Sequence, residues 1–269
     1  MNKGIINDLI KNFEIKILER HLIYAFLTRN DIQYERSPVL SELFSDFSAI
    51  PEVWLTVSTL ELKNLKDLEH TLELLTPNTD RKLNGAFFTP THVVEFIINE
   101  VAPKEKDRCL DPSSGCGAFL IGLIDYFKNT FNKHVKNIVR ENIYGSDILD
   151  YNISRTKTII SIYELMSGEI IEERDFNLFF QDSLREQWDT KFDVIVGNPP
   201  YVKYQDLSDN NRRFLTSQWE TINSGAFNLY FVFFELGFKL LNDEGRLGYI
   251  TPNNYFTSLS AQSLRSFFY

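Results

Sequence analysis

Apolar positions divide the chain into two textures. Over residues 3–30, Ile5, Ile6, Leu9, Ile10, Phe13, Ile17, Leu18, Ile23 and Tyr24 recur at helical spacing, and TLELKNLKDLEHTLELL (59–75) repeats the pattern. Ser37-Pro38 and Ile50-Pro51 mark breaks. Residues 1–80 therefore read as a small helical domain, with Pro77-Asn78-Thr79-Asp80 as its link to a second domain over 81–269.

From residue 81 short apolar runs alternate with helical stretches. Strands are expected at Arg108–Asp111, Asn142–Asp147, Asn177–Gln181, Phe192–Gly197 and Arg246–Thr251. Helices are expected over about 117–131, 152–166 and 226–242, and from about 258. This alternation predicts an α/β fold whose parallel sheet is covered on both faces. Ligands in such sheets bind outside the carboxyl ends of the strands.

Composition narrows the function. With 269 residues, 43% of them hydrophobic, the chain can bury one large core or two unequal ones. A net charge of −9 argues against a stand-alone basic nucleic-acid module, so such contact needs local patches or another polypeptide. Two cysteines, Cys109 and Cys116, without a second pair or a His cluster, support neither a zinc site nor a disulfide framework. No metal is expected, and reduced thiols fit a cytoplasmic location. Neither a signal peptide nor an apolar run of about 18 residues is visible, so no membrane span is expected.

Candidate chemistry lies at the strand ends. LDPSSGCGAFL (110–120) is a strand end, a small-residue loop and a helix start. Gly115 and Gly117 allow a tight turn and close ligand approach, while Asp111 offers a carboxylate suited to a cationic group. YGSDIL (144–149) ends the second strand in Asp147, where ribose hydroxyls are held in doubly wound folds. FFQDSL (178–183) brings Asp182 to the end of the third. Each acid alone also reads as a loop aspartate capping a helix. Three at successive strand ends suit a ligand with an amine, a ribose and an exocyclic amino group, which S-adenosylmethionine has. Upstream, GAFFTP (85–90) precedes a helical stretch, with Thr89 read as N-cap and Pro90 in the first turn. VIVGNPPYVKYQ (194–205) ends a buried strand in Asn198, Pro199, Pro200 and Tyr201, a backbone stiffened twice.

FDVIVGNPPYVKYQ resembles motif IV of the amino-group DNA methyltransferases, LDPSSGCGAFL their motif I and GAFFTP their motif X. The order X, I, IV resembles the gamma arrangement of adenine methyltransferases, and residues 228–256 resemble the segment after motif IV in Eco57I-like restriction–modification methylases. The resemblance covers about residues 80–269. It implies a Rossmann-like, class I S-adenosylmethionine-dependent methyltransferase sheet and N6 methylation of an adenine flipped out of double-stranded DNA. Asp111, Gly115 and Gly117 then hold the methionine end of the cofactor, and Phe88, Thr89 and Pro90 line its carboxylate side. Asp147 takes the ribose and Asp182 the adenine amino group, with Pro112, Ser113, Phe119, Ile148 and Ser183 beside them. Asn198, Pro199, Pro200 and Tyr201 face the target base, Tyr201 as a stacking ring. Lys203, Arg212 and Arg213 are candidates to neutralise nearby phosphates.

Alternatives remain open from sequence. Release-factor glutamine methyltransferases also carry NPPY, and RNA adenine is a second substrate. Pro51-Glu52 and Glu61-Leu62-Lys63 mimic a nuclease signature. About five strands are counted where methyltransferases of this fold usually have seven, and no target-recognition domain follows. The expectation is a C-terminally truncated catalytic domain, or a non-catalytic subunit, that needs a recognition domain or specificity subunit. By itself such a chain binds cofactor weakly and methylates little. Tyr255 and Phe256 are candidates for a second base-clamping aromatic.

Overall fold

The computed structural model describes residues 2–85, 89–222 and 227–268. The first part is helical: α1 (Asn2–Ile10), α2 (Ile15–Arg29), α3 (Pro38–Leu43), α4 (Pro51–Val57), α5 (Leu65–Leu74) and α6 (Asn78–Asn84). The stretch over 3–30 is two helices, because the Asn12 and Phe13 amides both close on the Leu9 carbonyl at 3.0 Å and end the first. Apolar spacing continues across that break, so periodicity alone does not reveal it. Pro38 and Pro51 are first-turn residues of α3 and α4, where a missing N–H costs nothing.

The helix expected over 59–75 starts only at Leu65. A capping box fixes that start: Asn64 accepts from the Asp67 amide at 3.0 Å, and Asp67 accepts from the Asn64 amide at 3.2 Å. The expected linker at 77–80 is instead the entry to α6, with Pro77 in the cap position.

The rest alternates as expected: α7 (Thr91–Val101), β1 (Cys109–Asp111), α8 (Ala118–Phe131), α9 (Val135–Glu141), β2 (Ile143–Asp147), α10 (Asp150–Met166), β3 (Asn177–Phe180), β4 (Phe192–Gly197), α11 (Asp209–Gln218), α12 (Tyr230–Leu240), β5 (Leu241–Tyr249) and α13 (Gln262–Phe267). All five strands are parallel, in the order β3-β2-β1-β4-β5. The chain reverses its direction of sheet growth between β1 and β4, which is where doubly wound sheets open a ligand crevice.

The central strands β1 and β4 are short, mostly apolar and buried on both faces, and their period of two sorts side chains between two cores. Cys109, Val194 and Val196 join one core, with Leu120 and Ile124 of α8 and Ile159 and Ile160 of α10. Leu110 and Ile195 join the other, with Tyr230, Phe231 and Phe234 of α12. The β4–β5 register jumps from Phe192↔Leu241 to Val194↔Arg246, so effective pairing runs over Arg246–Tyr249, near the strand expected from sequence.

The N-terminal helices pack on this layer. Leu22 and Phe26 of α2, and Leu68 and Leu72 of α5, belong to the same continuous core as α8 and α10. Arg155 of α10 is fully buried; its Nε and Nη2 both donate to Glu19 Oε2 of α2 at 3.1 Å, and its Nη1 donates to Thr76 at 3.2 Å. Its guanidinium also lies over the Tyr151 ring, 4.7 Å from the centroid. Among the described residues no helix is long and apolar enough to cross a membrane.

Candidate active site

The parallel register brings the strand ends together. Asp111 pairs with Gly145, so Asp147 ends its strand two residues further along, and Asp147 in turn pairs with Phe180 of β3. The loops are laced across these ends: Ser114 N donates to the Ser146 carbonyl at 2.9 Å and Gln181 N to the Asp147 carbonyl at 3.0 Å. A cleft of about 190 Å³ opens there.

The glycine loop after β1 is held from two sides. Asp147 Oδ2 accepts from Gly115 N at 2.9 Å, while its Oδ1 accepts from Leu149 N at 2.9 Å and Asn152 Nδ2 at 3.1 Å. Thr156 of α10 donates its hydroxyl to the Gly115 carbonyl at 3.2 Å. Gly117 caps α8 at φ +92°, and a Cβ there would lie 2.9 Å from Thr156 Cγ2, so this position requires glycine. It packs the loop on α10 and is not among the residues that line the cleft.

Of the expected cofactor residues, Asp111, Pro112, Ser113, Gly115 and Phe119 line the cleft from the first loop and helix, Asp147 and Ile148 from the second strand end, and Asp182 and Ser183 from the third. Ser183 also supports the loop, donating its hydroxyl to the Pro112 carbonyl at 2.6 Å. Asp182 is tied to Leu184 N at 3.0 Å and to the Arg185 guanidinium at 3.0 Å. Thr89 lines the cleft but does not cap α7; Pro90 occupies the cap position, without a side-chain bond, and lies outside the lining. Phe88 falls outside the described residues.

Asp111 is 2% exposed; burial, with Asp147 nearby, pushes its carboxyl up to about 8 despite a 3.0 Å bond from Ser113 N. Burial also raises Asp147. Two hydroxyls at the cleft, of Ser113 and Ser114, are buried without a partner. Clustered buried acids and orphaned hydroxyls fit a polar ligand that carries positive charge and hydrogen-bonding groups.

The NPPY turn closes the other end. Asn198 Nδ2 donates to Thr89 Oγ1 at 3.1 Å, and Asn198 Oδ1 accepts from the Tyr201 hydroxyl, which also reaches the Ile250 carbonyl at 2.8 Å. Burial pushes the Tyr201 phenol up to about 12, keeping it a donor. Its ring stands edge-on to Tyr230, 5.9 Å between centroids. Asn198 and Pro200 line the cleft; Pro199 and Tyr201 do not. Gly85 lies against this turn at φ +56°, its carbonyl accepting from Tyr201 N at 3.3 Å; a Cβ there would sit 2.5 Å from that nitrogen. The ends of the GAFFTP and NPPY stretches are thus packed directly on each other.

Several lining residues have no signal in the sequence. Glu69 and Glu73 come from α5, 40 and 36 positions before the first strand begins at Cys109, and look like ordinary surface acids of an amphipathic helix. Arg185 lies over the Phe214 ring at 3.9 Å and donates to Asn211 at 2.7 Å, joining the third strand end to α11 as a side wall. Arg212, a phosphate candidate, is instead committed to the Tyr204 and Gln205 carbonyls, both at 2.8 Å. Tyr255 and Phe256 stack on each other at 4.3 Å and do not line the cleft.

Residues 53–269 match the family model described as Eco57I restriction-modification methylase. The chain belongs to this family. Among curated relatives of this Eco57I-type chain, it is similar to the type II methyltransferase M.HincII of Haemophilus influenzae, 27% identical over 185 residues, covering 68% of this chain and 30% of that protein. It is also similar to the type II restriction enzyme and methyltransferase RM.Eco57I of Escherichia coli, 27% identical over 241 residues, covering 66% of this chain and 24% of that one. The chain thus spans less than a third of the length of either relative. In fold it resembles DrdV in a DNA complex (TM-score 0.65, 16% identity, 98% of this chain and 34% of that chain). It also resembles a putative class I S-adenosylmethionine-dependent methyltransferase of Listeria monocytogenes (TM-score 0.55, 18% identity, 94% of this chain and 78% of that chain). The expected α/β fold class and the Eco57I-like family therefore stand.

Proposed function

We propose that this chain carries the catalytic centre for methyl transfer from S-adenosylmethionine to the N6 amino group of an adenine in DNA, within a restriction–modification system. The supporting observation is the fixed Asn198 amide, with its nitrogen tied to Thr89 and its oxygen turned to the Tyr201 hydroxyl at the edge of the acid-lined cleft.

When bound, the cofactor supplies an electrophilic methyl group on a sulfonium. Asp147, through the Gly115 amide, holds the loop against which the cofactor lies, and Asp111 and Asp182 offer acceptors at the neighbouring strand ends. The aromatic amine of adenine is a weak nucleophile because its lone pair is delocalised into the ring. Acceptors on both N–H bonds favour the pyramidal, nucleophilic form. Asn198 Oδ1, oriented by the Tyr201 hydroxyl, and the Pro199 carbonyl, held by the two rigid prolines, are the two acceptors. Their placement before the reaction is electrostatic preorganisation. The base leaves the duplex first, at a cost of a few kcal/mol.

Parallel assays of tritiated methyl transfer from S-adenosylmethionine to DNA, RNA and release factor test the proposal. Label is expected in DNA only, recovered as N6-methyladenine after nucleoside digestion. Label in protein glutamine or RNA alone would replace the substrate reading with one of the two alternatives.

A further inference from the structure

We propose that Glu69 and Glu73 of α5 form the cation-binding wall of the cleft and hold the α-ammonium group of the cofactor's amino-acid moiety. The inference deepens the S-adenosylmethionine reading and rests on it.

The capping box at Asn64 sets the phase of α5. Leu65, Leu68 and Leu72 turn into the core, and Glu69 and Glu73, one helical turn apart, face the cleft beside Gly115, Cys116 and Asn152. Glu69 also lines a second, small cavity together with Lys66 of α5, Thr89, and Ala118 at the start of α8.

Among the described residues no ion pair joins either carboxylate to a cation, although Lys66 acts on Glu69 and Arg81 and Arg155 on Glu73 through space. Glu69 is 4% exposed and makes no hydrogen bond or ion pair among the described residues. Arg81 donates to the main-chain carbonyl of Glu73 at 2.7 Å and forms no ion pair with its carboxylate. Arg155 is spent on Glu19 and Thr76. Lys66, the nearest lysine along the helix, lowers Glu69 too little to offset burial, and both carboxyls are pushed up to about 7. A second polar group in the same cavity also lacks a partner: the hydroxyl of Ser114, a residue 5% exposed, is buried without a hydrogen bond and lines the cavity that Glu69 and Glu73 line.

Two like charges one turn apart repel, and a buried carboxylate without a counter-ion is costly. A ligand that brings a hydrogen-bonding cation removes both penalties; a ligand without one does not. The α-ammonium is present in S-adenosylmethionine and in S-adenosylhomocysteine and absent from 5′-methylthioadenosine, which keeps the adenosine and sulfur. Residues of the helical region thereby become part of the cofactor site.

The test is calorimetric titration of the full-length protein and its Glu69→Gln/Glu73→Gln variant with these three compounds. A charge-assisted hydrogen bond predicts that the variant binds S-adenosylmethionine and S-adenosylhomocysteine about tenfold more weakly or worse. Binding of methylthioadenosine is expected to stay within about twofold, the size of an effect too small to involve a lost ionic contact. Thermal unfolding of the variant without ligand should match or exceed that of the wild type, since a buried repulsion is gone. Unchanged affinity for all three compounds, or an equal loss for all three, overturns the assignment to the ammonium while leaving the cofactor reading intact. A wild-type protein that binds none of them overturns both.

Discussion

Thr89 and Asn198 are joined by a hydrogen bond of 3.1 Å across 109 positions of sequence, from the amide nitrogen to the threonine hydroxyl. The bond fixes which face of the amide carries its oxygen, and Tyr201 confirms that orientation from the other side. Thr89→Val keeps the shape and removes the acceptor. A single hydrogen bond is worth about 1 kcal/mol, so the methyl-transfer rate should fall roughly five- to tenfold. Cofactor affinity should change less than the rate constant. Single-turnover kinetics beside equilibrium titration checks this split.

The Arg155–Glu19 pair ties α10 to the N-terminal helices in the interior. Arg155→Ala strands a buried carboxylate and vacates a cavity, and should cost about 3–5 kcal/mol of unfolding free energy. Arg155→Met with Glu19→Leu removes both charges and should recover most of that loss. Urea denaturation of both variants measures the difference, and coincident fluorescence and circular dichroism transitions would show that helices and sheet unfold together.

The acids of the cleft reverse the usual pH dependence of carboxylates. Glu69 and Glu73 are raised by burial from 4.5 to about 7, and Asp111 from 3.8 to about 8. The folded protein therefore binds more protons than the unfolded chain between about pH 4 and 8. Stability without ligand should fall as pH rises through that window and level off above it. Groups acting on these acids are Lys66 on α5, Arg81 on α6, Arg155 on α10 and Asp147 at the neighbouring strand end. A cationic ligand lowers the raised values, so binding near pH 7 should release protons. Titration in buffers of different ionisation enthalpy reads that release directly, and it should vanish above about pH 9, where all three acids are already charged.

The centre of the sheet is legible because β1 and β4 are short apolar runs, one ending in an acid and the other in the NPPY turn. A run such as FDVIVG has one reading once helices flank it. Asp111, Asp147, Asp182 and Asn198 followed from where the strands stop. Thr89 was found for the wrong reason: sequence suggested a helix cap, and the structure gives its hydroxyl to Asn198. Gly117 reads from sequence as a tight-turn glycine, and the structure adds the reason: a Cβ there would meet Thr156. Glu69, Glu73 and Arg155 were invisible because their significance depends on α5 and α10 meeting, a long-range packing event that local periodicity does not encode. The break before α2 and the late start of α5 are set by local hydrogen bonds, two amides closing on the Leu9 carbonyl and the Asn64–Asp67 capping box, within uninterrupted apolar patterns.

The central claim is that Asn198 is an acceptor for an adenine amino group. Nucleoside analysis by mass spectrometry of DNA after a single turnover with the full-length protein tests it most directly. The wild type should produce N6-methyladenine. Asn198→Ala should lower the yield rate by at least about a hundredfold, the size of effect seen when one preorganised polar group is removed, with cofactor affinity retained. N4-methylcytosine as the product, or near-normal N6-methyladenine from Asn198→Ala, would contradict the account.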